Sequence, residues 1–133
     1  MTGAERVNQY LNEAKTYYLA TVDNDQPRVR PFGTALLFEG KVYIQTGLKK
    51  DVAHQIEKNP KFEICACKGA DWLRVSGELA YDERIEPQEA MLEAYPSLKN
   101  MYTPGDGNTA VYYIKNATAT FSSFTAAPET VTF

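Results

Sequence analysis

Two adjacent lysines, Lys49 and Lys50, stand at the start of a predicted helix, where the helix dipole disfavours positive charge. The preceding stretch has the pattern of a strand that ends in a turn, which places Thr46 at the rim of a sheet. A phosphate at this point would gain the free N–H groups of the helix end and one or two ammonium groups. The alternative is that both lysines are ordinary solvated surface side chains.

A second cationic stretch, RVRPFG, runs from Arg28 to Gly33. Alternate residues of a strand point to the same side, so Arg28 and Arg30 are expected to share one side. Pro31 and Gly33 interrupt regular strand pairing and leave backbone groups free to face a flat ligand with polar edges. The stretch is also typical of an edge strand that arginine and proline protect against aggregation. Both interpretations stay open.

Most side-chain catalysts are missing from the sequence. His54 is the only histidine, no G-x-S-x-G elbow accompanies it, and no G-x-G-x-x-G or P-loop sequence occurs. No catalytic residue and no metal site are predicted, because the carboxylates lack metal-ligand spacing. Cys65 and Cys67 are expected to be buried free thiols, since a C-x-C pair needs further ligands to hold a metal. An enzyme built from these residues would take its reactivity from a cofactor.

Length and charge limit the possible partners. The chain has 133 residues, 44% of them hydrophobic, and a net charge of −3, so we expect a single domain over residues 1–133. The acidic balance makes nucleic acid and anionic membranes poor partners. No apolar run reaches the roughly 18 residues of a membrane span, and the N-terminus lacks a signal-peptide core, which predicts a cytoplasmic protein.

The hydrophobic pattern predicts strands joined mainly by hairpin turns. Helices are predicted at residues 4–15, 50–58 and 86–95, and strands at 17–22, 28–38, 41–46, 62–67, 72–82 and 109–124, with a short strand possible at 130–133. This order favours a mainly β protein of the α+β class, an antiparallel β-barrel with short flanking helices, over a doubly wound α/β sheet.

Three segments, in this order, carry a resemblance: YLATVDNDQPRVRPF, LLFEGKVYIQTGLKKDVAHQIEKNPKFEICA and WLRVSGELAYD. They resemble the pyridoxamine 5′-phosphate oxidase-related family of FMN-binding split β-barrels, and most of all its branch of general stress proteins and nitroimidazole-resistance proteins. The resemblance covers about residues 5 to 125. It implies a Greek-key split barrel of six to seven strands and a homodimer with two FMN cofactors at the subunit interface.

The resemblance also implies which residues bind the flavin. The isoalloxazine ring would lie along four consecutive residues, Val29, Arg30, Pro31 and Phe32. The ribityl chain and phosphate would lie over Gln45 and Thr46, with the phosphate bound by Lys49 and Lys50. From the second chain, Trp72 and Arg74 would reach the flavin.

The sequence therefore predicts an FMN-binding flavoprotein, an oxidoreductase of unknown substrate. Oxidation of pyridoxamine phosphate itself is not expected. In the true oxidases of the family, a C-terminal segment with arginine, histidine and tryptophan binds that substrate, whereas this chain ends in APETVTF. The alternatives are a non-catalytic protein that binds or senses flavin or haem, a related barrel that uses a deazaflavin, and a purely structural dimer.

Overall fold

The computed structural model describes all 133 residues. Its elements, in chain order, are α1 (Gly3–Ala14), β1 (Tyr17–Asp23), β2 (Gln26–Phe32), β3 (Leu36–Phe38), β4 (Lys41–Gly47), α2 (Asp51–Lys58), β5 (Lys61–Lys68), β6 (Asp71–Asp82), α3 (Ile85–Ala94), a 3-10 helix (Pro96–Asn100), β7 (Thr109–Ser122) and β8 (Glu129–Thr132). No helix has both the length and the apolar character needed to cross a bilayer.

The strands form one antiparallel sheet of eight strands in the order β2-β1-β5-β6-β7-β4-β3, with β8 paired to β7. The α+β class and the split-barrel architecture predicted from the sequence are confirmed. The strand count exceeds the expected six to seven because the predicted strand 28–38 is two strands, β2 and β3, and because the C-terminal tail forms β8.

Side chains from elsewhere in the chain hold the break between β2 and β3. The Tyr17 hydroxyl donates to the Thr34 carbonyl at 2.6 Å. The Tyr95 hydroxyl lies 3.0 Å from both the backbone N and the carbonyl O of Ala35. These contacts satisfy the backbone of residues 34–35 without a neighbouring strand, so the chain can leave the sheet here.

The main core lies inside the barrel, between the inner face of the sheet and the helices α1 and α2. The buried face of α1 carries Val7, Tyr10 and Leu11 at helical spacing, and α2 buries Val52 and Ile56 in the same core. Thr2 and Glu5 form a capping box that fixes the start of α1. Because Val52 and Ile56 share this core with side chains of β1 and β4, helix α2 is held close to both strands.

The outer side of the sheet is covered over only part of its width. Helix α3 packs on the outer side of β4 and β7, where Tyr43, Met91 and Val111 form a second small core. No helix covers the outer side of β2, β1, β5 and β6. There Tyr18 is 50% exposed and Val29 is 69% exposed. We call this surface the open face.

The open face also contains both cysteines, and the prediction that they are buried was wrong. Strand β5 alternates, with Ile64 and Ala66 fully buried inside the barrel and the cysteines pointing outward. Cys65 is half-buried and Cys67 is exposed, and both are free thiols. The sequence pattern correctly placed them on one side, but it did not show which side faces solvent.

A polar cluster joins the end of β6 to the β3–β4 hairpin. The nearly buried carboxylate of Asp82 accepts hydrogen bonds from the Tyr43 hydroxyl at 2.7 Å and from Arg84 at 2.9 Å. Arg84 also pairs with Glu39 at 2.6 Å. The Arg84 guanidinium holds the pKa of Asp82 down at about 2 despite its burial. Burial, with the same Asp82 contact, raises the pKa of Tyr43 to about 12.

Candidate functional site

A cleft with a volume of about 910 Å³ lies between β2 and α2. Its cationic side chains come from both walls: Arg28 and Arg30 from β2, Lys50 at the start of α2, and Lys58 at its end. We call it the cation cleft. It brings together three of the residues predicted to bind a cofactor, namely Val29, Arg30 and Lys50.

Arg30 is held in the cation cleft by neutral groups only. Its Nη1 atom donates to the Leu19 carbonyl at 3.1 Å and to Thr21 Oγ1 at 2.8 Å, and its Nη2 atom donates to Gln55 Oε1 at 2.7 Å. Thr21 donates its own hydroxyl hydrogen to the same Gln55 oxygen at 2.6 Å. Arg30 therefore has a fixed position and keeps N–H groups for a further acceptor, because a guanidinium carries five.

The charges in the cation cleft leave a local positive surplus. Arg28 is neutralised by Asp23 at 3.1 Å, whereas Arg30, Lys50 and Lys58 form no ion pair. Partial burial, with a smaller contribution from the Arg28 charge, lowers the pKa of Arg30, as expected for a cation that lacks a counterion. Asp51 is the only unpaired acid in the lining. In a chain of net charge −3, this surplus is suited to an anionic ligand.

The N-terminus of α2 opens at the cation cleft without a side-chain cap. Lys50 is the N-cap residue and its side chain makes no capping hydrogen bond. The first N–H groups of the helix thus lack a side-chain acceptor, and the positive end of the helix dipole adds to the charge of Lys50. Lys49, one residue earlier, is exposed and does not line the cleft, and its backbone N–H donates to Asn108 Oδ1 at 3.1 Å.

Gln45 and Thr46 point to opposite sides of β4, because neighbouring side chains of a strand alternate. Gln45 lies on the side of Tyr43 and is 6% exposed, and neither its amide nitrogen nor its amide oxygen has a hydrogen-bond partner. Thr46 is 5% exposed, so it is buried and not at an open rim as predicted. An unpartnered buried amide costs about 1–3 kcal/mol, but neither Gln45 nor Thr46 lines the cation cleft.

The ring-binding stretch predicted on β2 is divided between the two sides of the strand. Val29 and Pro31 pair with Ala20 and Tyr18 on the open face. Phe32 turns inward, where its ring centroid lies 6.0 Å from that of Tyr17. Because the side chains point to two sides, all four residues could contact one flat molecule only through their backbone. That backbone has a free edge, since β2 is hydrogen-bonded to β1 alone.

Trp72 and Arg74 lie on the open face and outside the cation cleft. They line a shallow depression of about 370 Å³ between β6 and β7. Arg74 pairs with Glu63 at 2.6 Å, and the Trp72 ring lies 5.2 Å from that of Phe124, which is 83% exposed. Within one chain these two residues do not join Arg30 and Lys50.

Sequence reasoning missed Thr21 and Gln55, which orient Arg30. The signal for Thr21 was its position: Tyr17, Leu19 and Thr21 all point inward from β1, and Thr21 is the polar member of that series, 2% exposed. Gln55 gave no such signal, because its partner Arg30 lies 25 residues earlier in the chain.

The comparisons with known proteins show the family and the fold. The family model described as Pyridoxamine 5'-phosphate oxidase matches residues 4–121. The chain belongs to this family. A solved member, a NimC/NimA family protein from Clostridium acetobutylicum, is 44% identical with a TM-score of 0.95, over 98% of this chain and 92% of that chain. Among curated proteins, none matches the sequence. The family resemblance inferred from the three sequence segments is thereby confirmed.

More distant members of the pyridoxamine 5'-phosphate oxidase fold share the architecture alone. General Stress Protein 26 from Bacillus anthracis is 21% identical with a TM-score of 0.78, over 100% of both chains. A heme binding protein from Mycobacterium smegmatis is 14% identical with a TM-score of 0.71, over 99% of this chain and 58% of that chain. The fold thus occurs in proteins with different names, one of them described as heme binding.

Proposed function

We propose that this chain binds FMN as a homodimer and acts as an FMN-dependent oxidoreductase. The observation that carries the proposal is the unpaired Arg30, which neutral groups hold in the same cleft as Lys50 at the open end of α2. A buried or half-buried cation usually has an anionic partner, and a phosphate monoester would supply it.

The phosphate is the part of FMN that the cation cleft fits best. It carries close to two negative charges, and the cleft offers the guanidinium of Arg30, the ammonium of Lys50 and the first N–H groups of α2. A volume of about 910 Å³ lies within the usual range for cofactor sites. We therefore assign Arg30 to the phosphate end of the flavin, beside Lys50.

The isoalloxazine ring needs an apolar surface that the cation cleft does not provide. Only three of its 13 lining residues are hydrophobic, Val22, Val29 and Val52. Val29 lines the cleft and is also part of the open face. Trp72 of the same chain is on the open face too, but it lines a different depression and does not reach the cleft. A second copy that packs on the open face would bring its own Trp72 toward Val29 and enclose the ring.

The redox chemistry belongs to the flavin, which when bound supplies exchange of hydride or of electrons at its ring. The chain's own residues bind and orient it: Arg30 and Lys50 fix the phosphate, and the free edge of β2 offers backbone N–H and C=O groups to the polar edge of the ring. No side chain is assigned as a general acid or base, and the substrate is a small molecule of unspecified class.

The first test identifies the cofactor and its phosphate site. We expect the purified protein to be yellow, to release FMN on denaturation as judged by mass, and to turn over NAD(P)H with an artificial electron acceptor. Lys50→Glu reverses a charge in the cation cleft and should weaken FMN binding by about 10- to 100-fold, since a hydrogen bond to a charged group contributes about 1.5–3 kcal/mol.

Lys49→Glu is the matched control for that test. It makes the same change of charge one residue away, on an exposed side chain that does not line the cleft. Because exposed charges are screened by salt, FMN affinity should change less than threefold, roughly, at physiological ionic strength. Equal losses in the two variants, or unchanged binding in Lys50→Glu, would contradict the placement of the phosphate.

A second test addresses the dimer. Val29→Asp introduces a charge on the open face, at its β2 edge, and should convert the dimer into a monomer, measured by sedimentation, with loss of bound flavin. Met101→Asp is the control, because Met101 is equally exposed, at 70% against 69%, but lies directly after the 3-10 helix and away from the open face. If the unmutated chain is a monomer in solution, the open face is not a dimer interface.

Haem binding is a second candidate, and one observation favours it. His54, the only histidine, lines the cation cleft, and the fold is shared with the heme binding protein from Mycobacterium smegmatis. A non-catalytic haem or flavin carrier would be recognised by the visible spectrum of the purified protein and by the absence of turnover. Loss of a haem spectrum in His54→Ala would establish this alternative.

A further inference from the structure

A separate hollow, with a volume of about 650 Å³, lies on the other side of α2 from most of the cation cleft. Six of its nine lining residues are hydrophobic. Its floor and walls come from α2, the end of β6 and β7, and include Leu48, Ala53, Ile56, Leu79 and Tyr112. We call it the apolar hollow. Its size and composition are those of a small-molecule site.

The lining of the apolar hollow includes the hydroxyl of Tyr112, beside the polar side chains of His54 and Glu57. Tyr112 is 3% exposed, and no hydrogen bond within the chain reaches its side chain. Burial raises the pKa of Tyr112 to about 12, so its hydroxyl keeps its proton at neutral pH. Unlike the Gln45 amide, this hydroxyl is not sealed inside the protein, so a ligand in the hollow can reach it and accept its hydrogen.

The remaining groups of the apolar hollow narrow the ligand class. Tyr81 stands beside Tyr112, with ring centroids 5.6 Å apart at an interplanar angle of 55°, so the wall can receive the face or edge of an aromatic ring. Glu57 stands at the mouth and disfavours anions. His54 is the only other polar side chain in the lining.

We infer that the apolar hollow is a binding site for a small, uncharged aromatic molecule that carries a hydrogen-bond acceptor, which receives the hydroxyl hydrogen of Tyr112. This site adjoins the proposed flavin site at His54, which lines both, but it differs from that site because the cations that would hold the phosphate line the opposite side of α2. The inference does not depend on which cofactor the cation cleft holds.

Three probes of matched shape test it on the purified protein by ligand-observed NMR and calorimetry. The ketone 2-acetylnaphthalene has an acceptor, 2-isopropylnaphthalene lacks one, and 2-naphthoate carries a negative charge. We expect the ketone to bind most tightly and the anion least. Tyr112→Phe should weaken the ketone by about 2- to 12-fold, the range for a lost neutral hydrogen bond, and leave the hydrocarbon unchanged.

Two further variants keep the result interpretable. Tyr113→Phe removes a neighbouring hydroxyl that points to the other side of β7 and should change no probe's affinity. Ala53→Phe fills the hollow and should abolish binding of both neutral probes, with the fold checked by circular dichroism. The inference is overturned if neither neutral probe binds, if Tyr112→Phe affects both equally, or if FMN displaces the ketone, which would make the hollow part of the flavin site.

Discussion

Replacing Arg30 with methionine separates the phosphate contact from every other contribution to flavin binding. Three of the five guanidinium N–H groups are used by Leu19, Thr21 and Gln55, which leaves two for the phosphate. Each hydrogen bond to a charged group contributes about 1.5–3 kcal/mol. Because Arg30 is only half-buried, we take the lower value for each, about 3 kcal/mol in total, which corresponds to roughly a 150-fold rise in Kd for FMN.

The assay is a fluorescence titration of the ligand-free protein with FMN and with riboflavin, which lacks the phosphate. Arg30→Met should raise the Kd for FMN by about two orders of magnitude and that for riboflavin less than threefold, roughly. Arg28→Met is the matched control, since this arginine lies on the same side of β2 but is already neutralised by Asp23. Its effect on FMN should stay below about fivefold.

Two results would refute this reasoning. An equal loss for FMN and riboflavin would show that Arg30 acts on the ring or on the fold, and not on the phosphate. An unchanged affinity for FMN would show that the cation cleft is not the phosphate site. Loss of the three internal hydrogen bonds should also lower the free energy of unfolding by about 1–2 kcal/mol, so the stability of the variant is measured first by urea denaturation.

Two further predictions concern buried polar groups. Gln45→Met removes an amide that has no partner within the chain, so the protein should gain about 1–2 kcal/mol in free energy of unfolding, measured by urea denaturation, while FMN affinity stays unchanged because Gln45 does not line the cation cleft; a loss of stability would show that the amide is satisfied in the folded protein. The pKa of Asp82 in the folded protein, about 2, lies below the ordinary aspartate value of about 3.9. The ionised carboxylate therefore stabilises the fold by about 2 kcal/mol when the pH is above about 4. This contribution is lost as the pH falls from about 4 toward 2. Asp82→Asn should therefore lower the free energy of unfolding at pH 7 and flatten its dependence on pH in that window, as measured by urea denaturation across pH; an unchanged acid transition would show that the Arg84 contact does not stabilise the fold.

The strands could be predicted from the sequence because their burial alternates locally. β5 and β6 follow the period of two that the pattern indicates, and their ends lie within one residue of the predicted ones. The break between β2 and β3 was missed because the side chains that hold it come from far away in the sequence. Tyr17 lies 17 residues before Thr34, and Tyr95 lies 60 residues after Ala35. Local periodicity carries no information about such contacts.

The binding role of the candidate site stays a prediction, and the structure shows only where its residues lie. Of the two lysines, only Lys50 lines the cleft, because Lys50 is the N-cap of α2 whereas Lys49 lies in the exposed turn before it. Arg30 was assigned to the ring by the resemblance, while the structure directs its guanidinium toward α2 through Gln55. In the proposed dimer, the contact of Trp72 with the flavin depends on a second chain, and a single sequence does not encode such docking in any local pattern.

The outward position of the two cysteines has a practical consequence for work with the purified protein. Cys67 is exposed on the surface proposed to pair two copies, so air oxidation can join chains through a covalent S–S bond without any native association. Mass measurements made without a reductant would then count such artefacts as assembly. Replacing both thiols with serine, or keeping them reduced throughout, separates accidental cross-linking from genuine recognition between chains.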